Sequence, residues 1–230
     1  MYTPRAYEET RPDVIAALMR AWSFATLIST DPAAPPPAVP IATHLPMLVD
    51  TVDDGDDGRP RLITHMARNN DQWRHFIGGE APALAIFQGP HAFISPSWYA
   101  DRMTFPTWNY AAIHATGRPR VIEDPQAILT VLRRTIALYD TPLGGPWAFD
   151  AMPDALILPR LERIVALSMP LDRVEAKIKM NQDKTPADRA GVIAALDAAA
   201  DPQGHAVAAM LRAFDIDGPD APGGTTAIRE

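Results

Sequence analysis

Proline constrains this chain more than any other residue type. The 230 residues include 24 prolines, about double the usual share of roughly 5%, and these prolines occur along most of the chain. Because proline interrupts helices and cannot donate a hydrogen bond within a sheet, it disfavours long unbroken elements. The distribution therefore predicts many short strands joined by turns.

The pattern of apolar residues predicts a mainly β protein with flanking helices, arranged as a small β-barrel. We expect breaks at Gly89-Pro90 and at Pro170, and strands at 23–30, 39–49, 62–66, 83–87, 91–95, 111–123 and 164–180. Helical periodicity or helix-start residues predict helices at 12–22, 71–76, 125–139, 154–163, 187–200 and 204–214. The expected organisation is a single domain over 1–214, with a helical C-terminal part, and a flexible Gly/Pro-rich tail over 215–230.

Composition excludes several classes of protein. The chain has no cysteine, which excludes disulfides, thiolate catalysis and cysteine-ligated metals and favours a bacterial type of cytoplasm. No apolar run approaches the ~20 residues of a membrane-spanning helix, and the first twelve residues lack the apolar segment of a signal peptide. We therefore expect no membrane partner. The six histidines are scattered without ligand spacing, so we also expect no metal site.

The charge balance argues against nucleic acid as a direct partner. The chain has 21 basic and 28 acidic residues, a formal net charge of −7, whereas proteins that bind DNA usually carry a basic surplus. Two groups of basic residues stand out, the pair Arg133-Arg134 and the segment with Arg173, Lys177 and Lys179. They offer too few charges for tight binding, so direct contact with DNA is not expected.

A strand that runs into a short helix predicts a phosphate site over residues 62–73. Asn69 or Asn70 can cap this helix, and Asn69 with Gln72 fits a capping box. Arg68 lies at the junction. A guanidinium beside backbone N–H groups at 67–70 is suited to hold a phosphate. The alternative interpretation is an ordinary capped helix with a solvated arginine.

Two stretches rich in aromatic residues and proline lie at 87–99 and 105–117. They contain four large aromatic side chains and a neighbouring amide: Trp98, Tyr99, Trp108, Tyr110 and Asn109. Flat aromatic surfaces with an amide nearby suit a planar heteroaromatic ligand, although they are also typical of a stiffened corner of a barrel. The glycine motifs GxGxxG and GxxxxGK, which hold dinucleotides and nucleoside triphosphates, are absent.

The order of these motifs resembles the PaiB family, whose members are described as FMN-binding negative transcriptional regulators. The resemblance runs from residue 1 to about residue 200. It rests on these segments: MYTPR at the start, SFATLIST, THLPMLVD, HMARNNDQW, FQGPHAFISPSWY, PTWNYAAIHATG and KIKMNQ at 177–182. Where the family usually has QN at the end of its last motif, this chain has Gln182-Asp183, which adds a negative charge.

The resemblance implies an FMN-binding split β-barrel, the fold of pyridoxamine-phosphate-oxidase-like flavoproteins, and a homodimer with two flavin sites. FMN carries one phosphate, which is consistent with the missing dinucleotide glycines. Together, the motifs and the resemblance give the following candidate cofactor-binding residues: Thr43, His44, His65, Met66, Ala67, Arg68, Asn69, Gln88, Trp108, Asn109, Lys177, Lys179 and Gln182.

Three functions remain open from the sequence. The first is regulation of gene expression by an FMN-binding protein, with an indirect effect on the genes. The second is a flavin-dependent oxidoreductase acting on a small molecule, in which the cofactor performs the redox step. The third is a haem-binding split barrel, for which the candidate axial ligands are His44, His65, His91 and His114. The sequence identifies no catalytic residue.

Overall fold

The structure, a computed structural model, describes residues 1–51 and 58–216. In that part the strands are β1 (Glu8–Glu9), β2 (Phe24–Ser29), β3 (Ile41–Pro46), β4 (Leu48–Asp50), β5 (Arg61–Ala67), β6 (Ala83–Ile94), β7 (Thr107–Gly117), β8 (Arg120–Ile122) and β9 (Ile164–Lys179). The α-helices are α1 (Pro12–Ala21), α2 (Pro125–Tyr139), α3 (Asp154–Leu161), α4 (Pro186–Ala198) and α5 (Pro202–Ile216). No helix in these residues is long and apolar enough to cross a membrane.

One sheet connects the strands in the order β3-β2-β6-β7-β9-β5-β4, and β1 and β8 pair with β9. The pairings of β2 with β3 and of β5 with β9 are antiparallel. The predicted fold class, mainly β with flanking helices and a helical C-terminal part, is confirmed.

The chain divides into two compact units. One comprises Met1–Ile15, Gln88–Ile113 and the residues from Glu175 onward, and the other comprises Ala16–Phe87 and His114–Val174. We call them the first and the second unit. Strands β6, β7 and β9 run through both. A single domain over 1–214 stays a prediction. Of the predicted tail, residues 215 and 216 belong to α5, and residues 217–230 lie outside the described part of the chain.

Two predicted strand breaks are wrong, because β6 continues through Pro90 and β9 through Pro170. The β6 residues that pair with β2 are 84–86, so β2 does not need the N–H that Pro90 lacks. Pro170 lies at the end of the β5 ladder, opposite Arg61. Proline is tolerated at the edges of ladders; Pro90 lies beyond the β6 residues that pair with β2, and Pro170 occupies the last position of the ladder between β9 and β5.

The predicted capping box at Asn69 does not form. The helix at 71–76 is a 3₁₀ helix, and its cap is Asn70, whose Oδ1 accepts a hydrogen bond from the Gln72 N–H at 3.0 Å. The cap is thus two residues before its partner rather than three. By contrast, α2 begins as predicted: the Asp124 side chain accepts from the Ala127 N–H at 2.8 Å, and Pro125 occupies the first turn.

Helices α2 and α3 cover one face of the sheet in the second unit. The cluster that they form with β4, β5 and β9 is fully apolar: Leu48, Ile63, Ile128, Val131, Ile157, Leu161 and Ala166. Arg134 on α2 also donates to the buried Asp50 carboxylate at the end of β4. Because an unpaired buried carboxylate is costly, this ion pair fixes α2 against β4.

In the first unit, α4 packs closely against the 3₁₀ helix Pro96–Trp98. A Cβ on Gly191 would lie 2.1 Å from the Trp98 carbonyl oxygen, so only glycine permits this approach. The Asp188 carboxylate accepts from the Ala100 N–H at 2.8 Å and from the Thr185 hydroxyl at 2.8 Å. The Thr185 hydroxyl and these backbone bonds lower the pKa of Asp188, and they tie the segment after Trp98 to the start of α4.

Candidate functional site

Arg68 follows β5 in the second unit and is held by the backbone. Its Nε donates to the Glu162 carbonyl oxygen at 2.9 Å and its Nη2 to the Ile164 carbonyl oxygen at 3.2 Å. The guanidinium also lies over the Trp73 ring, 5.6 Å from its centroid. Its Nη1 lies 3.8 Å from the exposed carboxylate of Glu123. The charge is therefore fixed in position, with Nη1 directed toward an exposed anionic group.

The backbone around Arg68 offers fewer donors than a full phosphate cradle. The Arg68 N–H donates to the Arg163 carbonyl oxygen at 2.8 Å, and the Asn70 N–H donates to the Ala67 carbonyl oxygen at 2.9 Å. The Asn69 side chain is exposed. Two of the four N–H groups at 67–70 are thus already used, which leaves the guanidinium as the strongest donor in this segment.

Strand β3 brings two further candidates into the second unit. The Asn70 Nδ2 donates to the Thr43 hydroxyl at 2.9 Å, so Thr43 contacts the segment that follows Arg68. His44 is exposed and stacks on the exposed Phe24 ring, with 6.3 Å between ring centroids. Thr43 therefore positions the turn, whereas His44 and Phe24 present a polar aromatic surface to solvent.

Sequence reasoning missed a buried polar network behind this segment. The Gln72 side chain is fully buried, and its Nε2 donates to the Leu27 carbonyl oxygen at 3.1 Å and to the Ser29 hydroxyl at 3.0 Å. The Ser29 hydroxyl also contacts the His75 Nδ1 at 2.9 Å. The sequence offers no signal for it beyond the helix start, because the Leu27 and Ser29 partners lie more than forty residues earlier.

His65 and Met66 lie on β5, next to Arg68. Met66 is part of the core. The His65 Nδ1 is buried and has no hydrogen-bond partner among residues 1–51 and 58–216, and burial lowers the pKa of His65. A buried imidazole nitrogen without a partner is costly, which makes this atom a candidate contact for a ligand.

In the first unit, Trp108 joins an exposed group of rings. Its ring centroid lies 6.0 Å from that of Phe93 and 6.3 Å from that of His91, and about half of the Trp108 and Phe93 surfaces is exposed. Gln88 is exposed and its Nε2 lies 3.5 Å from the His91 Nδ1. We call Phe93, Trp108 and His91 the aromatic patch. Gln88 therefore lies at its edge.

Lys177 and Gln182 serve the local structure of the first unit. The buried Lys177 ammonium donates to the Tyr2 carbonyl oxygen at 3.2 Å and lies over the rings of Tyr2 and Tyr110, 5.6 and 5.1 Å from their centroids. Gln182 accepts from the Met180 N–H at 2.7 Å and donates to the Ile178 carbonyl oxygen at 2.5 Å. Both side chains are thus bonded within the protein.

A cavity of about 240 Å³ lies in the first unit and contains two further candidates, Asn109 and Lys179. Its complete lining is Tyr7, Thr104, Phe105, Pro106, Thr107, Asn109, Lys179, Asn181, Asp183 and Lys184. The Lys179 ammonium donates to the Thr107 hydroxyl. Asn109 is fully buried and donates to the Asn181 side-chain oxygen. The cavity is therefore mainly polar.

Comparison with known proteins identifies the family. Residues 1–173 match the sequence model of the family described as "Putative FMN-binding domain". The chain belongs to this family. It is also similar to the "Protease synthase and sporulation protein PAI 2" of Bacillus subtilis. The two sequences are 31% identical over 213 residues, and this alignment covers 92% of this chain and 96% of that protein. The expected resemblance to the PaiB family is thus confirmed, and the family assignment makes FMN the cofactor.

Solved structures confirm the split-barrel fold. The FAD and heme binding protein of Mycobacterium smegmatis is similar with a TM-score of 0.52 at 17% identity, covering 80% of this chain and 79% of that chain. The flavocytochrome Anf3 of Azotobacter vinelandii is similar with a TM-score of 0.50 at 12% identity, covering 80% and 75%. At this level of identity the likeness concerns the fold alone.

The donor set of the second unit fits FMN. A flavin phosphate needs a fixed cation, and Arg68 provides one that is oriented by two carbonyl oxygens. The flavin ring has both hydrogen-bond donors and acceptors at its edge, so it can pair with a group such as the buried His65 Nδ1, which has no partner in the described part of the chain.

The burial of His65 leads to a prediction about pH. Because the pKa of His65 is lower in the folded chain than the unfolded value of about 6.5, the unfolded chain binds the additional proton first as the pH falls. The free energy of unfolding should therefore decrease below about pH 6.5. His65→Gln should remove this part of the decrease, as measured by urea unfolding of the flavin-free protein between about pH 7.5 and 5.5.

The control for this experiment is His205→Gln, at an exposed histidine on α5. It should retain the wild-type change with pH. An unchanged pH dependence in the His65→Gln variant would show that another group is responsible.

Proposed function

We propose that this protein is a cytoplasmic FMN-binding regulator, that Arg68 binds the flavin phosphate, and that its effect on gene expression is indirect. The regulatory role comes from the resemblance to the PaiB family, and the name of the Bacillus subtilis relative, a protease synthase and sporulation protein, is consistent with it. When bound, FMN supplies one- or two-electron redox chemistry. The protein's own residues bind and orient the cofactor and limit its exposure to water.

The Arg68 geometry supports the phosphate assignment. Two backbone carbonyl oxygens and the Trp73 ring hold the guanidinium, so little side-chain entropy is lost when a phosphate binds. In the part of the chain that the structure describes, the one carboxylate within ion-pair distance of Arg68 is that of Glu123, whose side chain is 68% exposed. Glu123 can turn into solvent, and a phosphate can then take its place at Nη1.

Arg68→Ala tests this assignment. The variant removes a charge-assisted contact worth ~1.5–3 kcal/mol, so FMN affinity should decrease by roughly one to two decades. Riboflavin, which lacks the phosphate, should bind the variant and the wild type almost equally. The dissociation constants can be measured by quenching of flavin fluorescence.

Arg74→Ala is the matched control. Arg74 also lies over the Trp73 ring, 5.3 Å from its centroid, but its side chain is largely exposed and pairs with Asp71. This variant should retain FMN affinity within about twofold, since exposed ion pairs contribute little. Equal weakening of FMN and riboflavin by Arg68→Ala would mean that Arg68 has a structural role only.

Ion pairs within the protein support the proposal that its effect on gene expression does not involve direct DNA binding. Arg133 and Arg134 are the basic pair that the sequence offers to a phosphate backbone, but Arg133 donates to Asp150 at 3.1 Å and Arg134 to Asp50. Lys177 is buried beneath aromatic rings. These three basic residues are therefore already engaged within the protein, and the net charge of −7 opposes the release of counterions that drives DNA binding.

We expect no sequence-specific retardation of promoter DNA by the protein alone near physiological salt. Two or three phosphate contacts would give a salt slope of only about −2 to −3. Sequence-specific binding can be measured by electrophoretic mobility shift. The promoter of the protein's own gene is compared with a scrambled duplex of the same length. A shift at nanomolar protein that is selective for the promoter would establish direct regulation instead.

We also propose that the protein is a homodimer, and the exposed apolar side chains of the first unit support this. Tyr99, in the first aromatic stretch, is buried and does not contribute to this surface. The exposed members are Phe93, Met103, Phe105 and Trp108. A concentration of large exposed apolar groups is typical of an interaction surface, and a dimer is the commonest way to bury such a surface with a second copy.

Light scattering at micromolar concentration should give about twice 25.1 kDa. Phe93→Glu, which places a charge in the aromatic patch, should shift the mass toward the monomer. Leu156→Glu is the control, because Leu156 on α3 has the same 48% exposure as Phe93 and lies outside the patch. A monomeric wild type would refute the dimer.

Spectra and turnover distinguish the other two functions. Purified protein supplied with FMN should show flavin absorbance bands, whereas a Soret band would identify a haem protein. Reduction of the bound flavin by NAD(P)H in the presence of a small-molecule acceptor, with multiple turnovers, would support the oxidoreductase. Flavin binding without turnover would support the regulator.

A further inference from the structure

We infer that the cavity in the first unit is a binding site for a small organic monoanion that also carries an N–H or O–H donor, such as a hydroxy or amino-substituted carboxylic acid. This inference goes beyond the flavin-binding function proposed above. Lys179 and Asn109 are candidate flavin contacts in the sequence, and we assign them here to a second ligand.

The charges that line the cavity select a monoanion. Asp183 is paired: Lys184 lies 3.2 Å from its carboxylate, and the Tyr7 hydroxyl donates to it. Burial and this carboxylate raise the pKa of Tyr7, so the phenol stays protonated and acts as a donor to Asp183. One acid and one lysine thus compensate each other.

Lys179 is the remaining charge. Its ammonium donates to the neutral Thr107 hydroxyl and lies 5.9 Å from the centroid of the Tyr7 ring. Across residues 1–51 and 58–216, no carboxylate lies within ion-pair distance of it. A half-buried ammonium with only neutral contacts attracts an anion. The cavity lining as a whole has one net positive charge, which a carboxylate balances and a dianion would exceed.

Asn109 explains why the ligand needs a donor. Asn109 is fully buried, and its Nδ2 donates to the Asn181 Oδ1. The Asn181 Nδ2 in turn donates to the Tyr99 hydroxyl at 2.9 Å. The Asn109 Oδ1 has no partner within the described residues. Because a buried acceptor without a donor is costly, a ligand that supplies a donor gains affinity here.

The cavity volume limits the size of the ligand. A cavity of about 150 Å³ can hold benzene, and drug-sized ligands occupy about 300–1,000 Å³. At about 240 Å³, the cavity suits a molecule of about ten non-hydrogen atoms. Phe105 and Pro106 on its lining provide apolar contact for the body of such a molecule.

Three related probes test the inference on the ligand side. 4-Hydroxybenzoate has the anion and the donor, benzoate lacks the donor, and 4-hydroxybenzamide lacks the charge. Titration calorimetry with the full chain saturated with FMN should show binding of 4-hydroxybenzoate. Benzoate should bind about fivefold more weakly and 4-hydroxybenzamide at least tenfold more weakly. Absence of 4-hydroxybenzoate binding at millimolar concentration, or equal binding of all three probes, would overturn the inference.

Lys179→Met tests the same inference on the protein side. It removes the charge and retains most of the side-chain length, so 4-hydroxybenzoate affinity should decrease at least about tenfold, while 4-hydroxybenzamide affinity changes little. Arg102→Met is the control variant. It also removes one positive charge from the first unit, but Arg102 is exposed and does not line the cavity. It should change affinity by less than about twofold.

Two further outcomes would count against the site. Equal effects of Lys179→Met and Arg102→Met would show that only the overall charge matters. Release of FMN by 4-hydroxybenzoate, seen in the flavin absorbance, would show that the probe occupies the flavin site. The test does not depend on the flavin proposal, because a chain that takes up no FMN would refute that proposal and the calorimetry could still be done.

Discussion

The backbone ladder of β9 is the interaction on which the rest of the structure depends. This single strand of sixteen residues pairs with β1, β5, β7 and β8. The carbonyl of its first residue, Ile164, accepts a hydrogen bond from Arg68, and its last residue, Lys179, lines the cavity of the first unit. A hydrogen-bonded strand with neighbours on both sides has little freedom to shift. The side chains of Arg68 and Lys179 are therefore each held at a fixed position within their own unit.

Buried polar atoms mark both candidate sites. The His65 Nδ1 and the Asn109 Oδ1 have no hydrogen-bond partner in the described part of the chain. By contrast, the Asn181 amide donates to the Tyr99 hydroxyl, and the Ser29 hydroxyl accepts from Gln72. Each unpaired atom reduces stability, and a ligand that pairs with it recovers that cost. Affinity for a ligand and stability of the folded chain are therefore coupled at these positions.

The distribution of charge separates binding of small molecules from binding of DNA. Several arginines on the helices are paired with carboxylates, as in Arg133 with Asp150 and Arg212 with Asp197. At the two candidate sites, Arg68 donates to backbone carbonyl oxygens and Lys179 to a neutral hydroxyl. Single fixed cations suit single anionic groups, whereas a DNA backbone requires several cations in a row.

The sequence by itself determined most of the elements, because periodicity and capping are local properties. The helix that starts at Pro125 and the strand within residues 23–30 are confirmed. The family was also evident from ordered motifs. Tertiary structure decided where proline is tolerated: Pro90 and Pro170 look like breaks along the chain, but Pro90 lies beyond the β6 residues that pair with β2, and Pro170 is at the end of the ladder between β9 and β5.

Tertiary structure also decided which charged side chains are available. Arg134 appears solvated in the sequence, and its partner Asp50 lies 84 residues earlier. Lys177 and Lys179 are equivalent in the motif, yet the first is enclosed by Tyr2 and Tyr110 and the second faces a cavity. A charge is available or paired according to partners that folding brings from distant parts of the chain, and no local pattern records those partners.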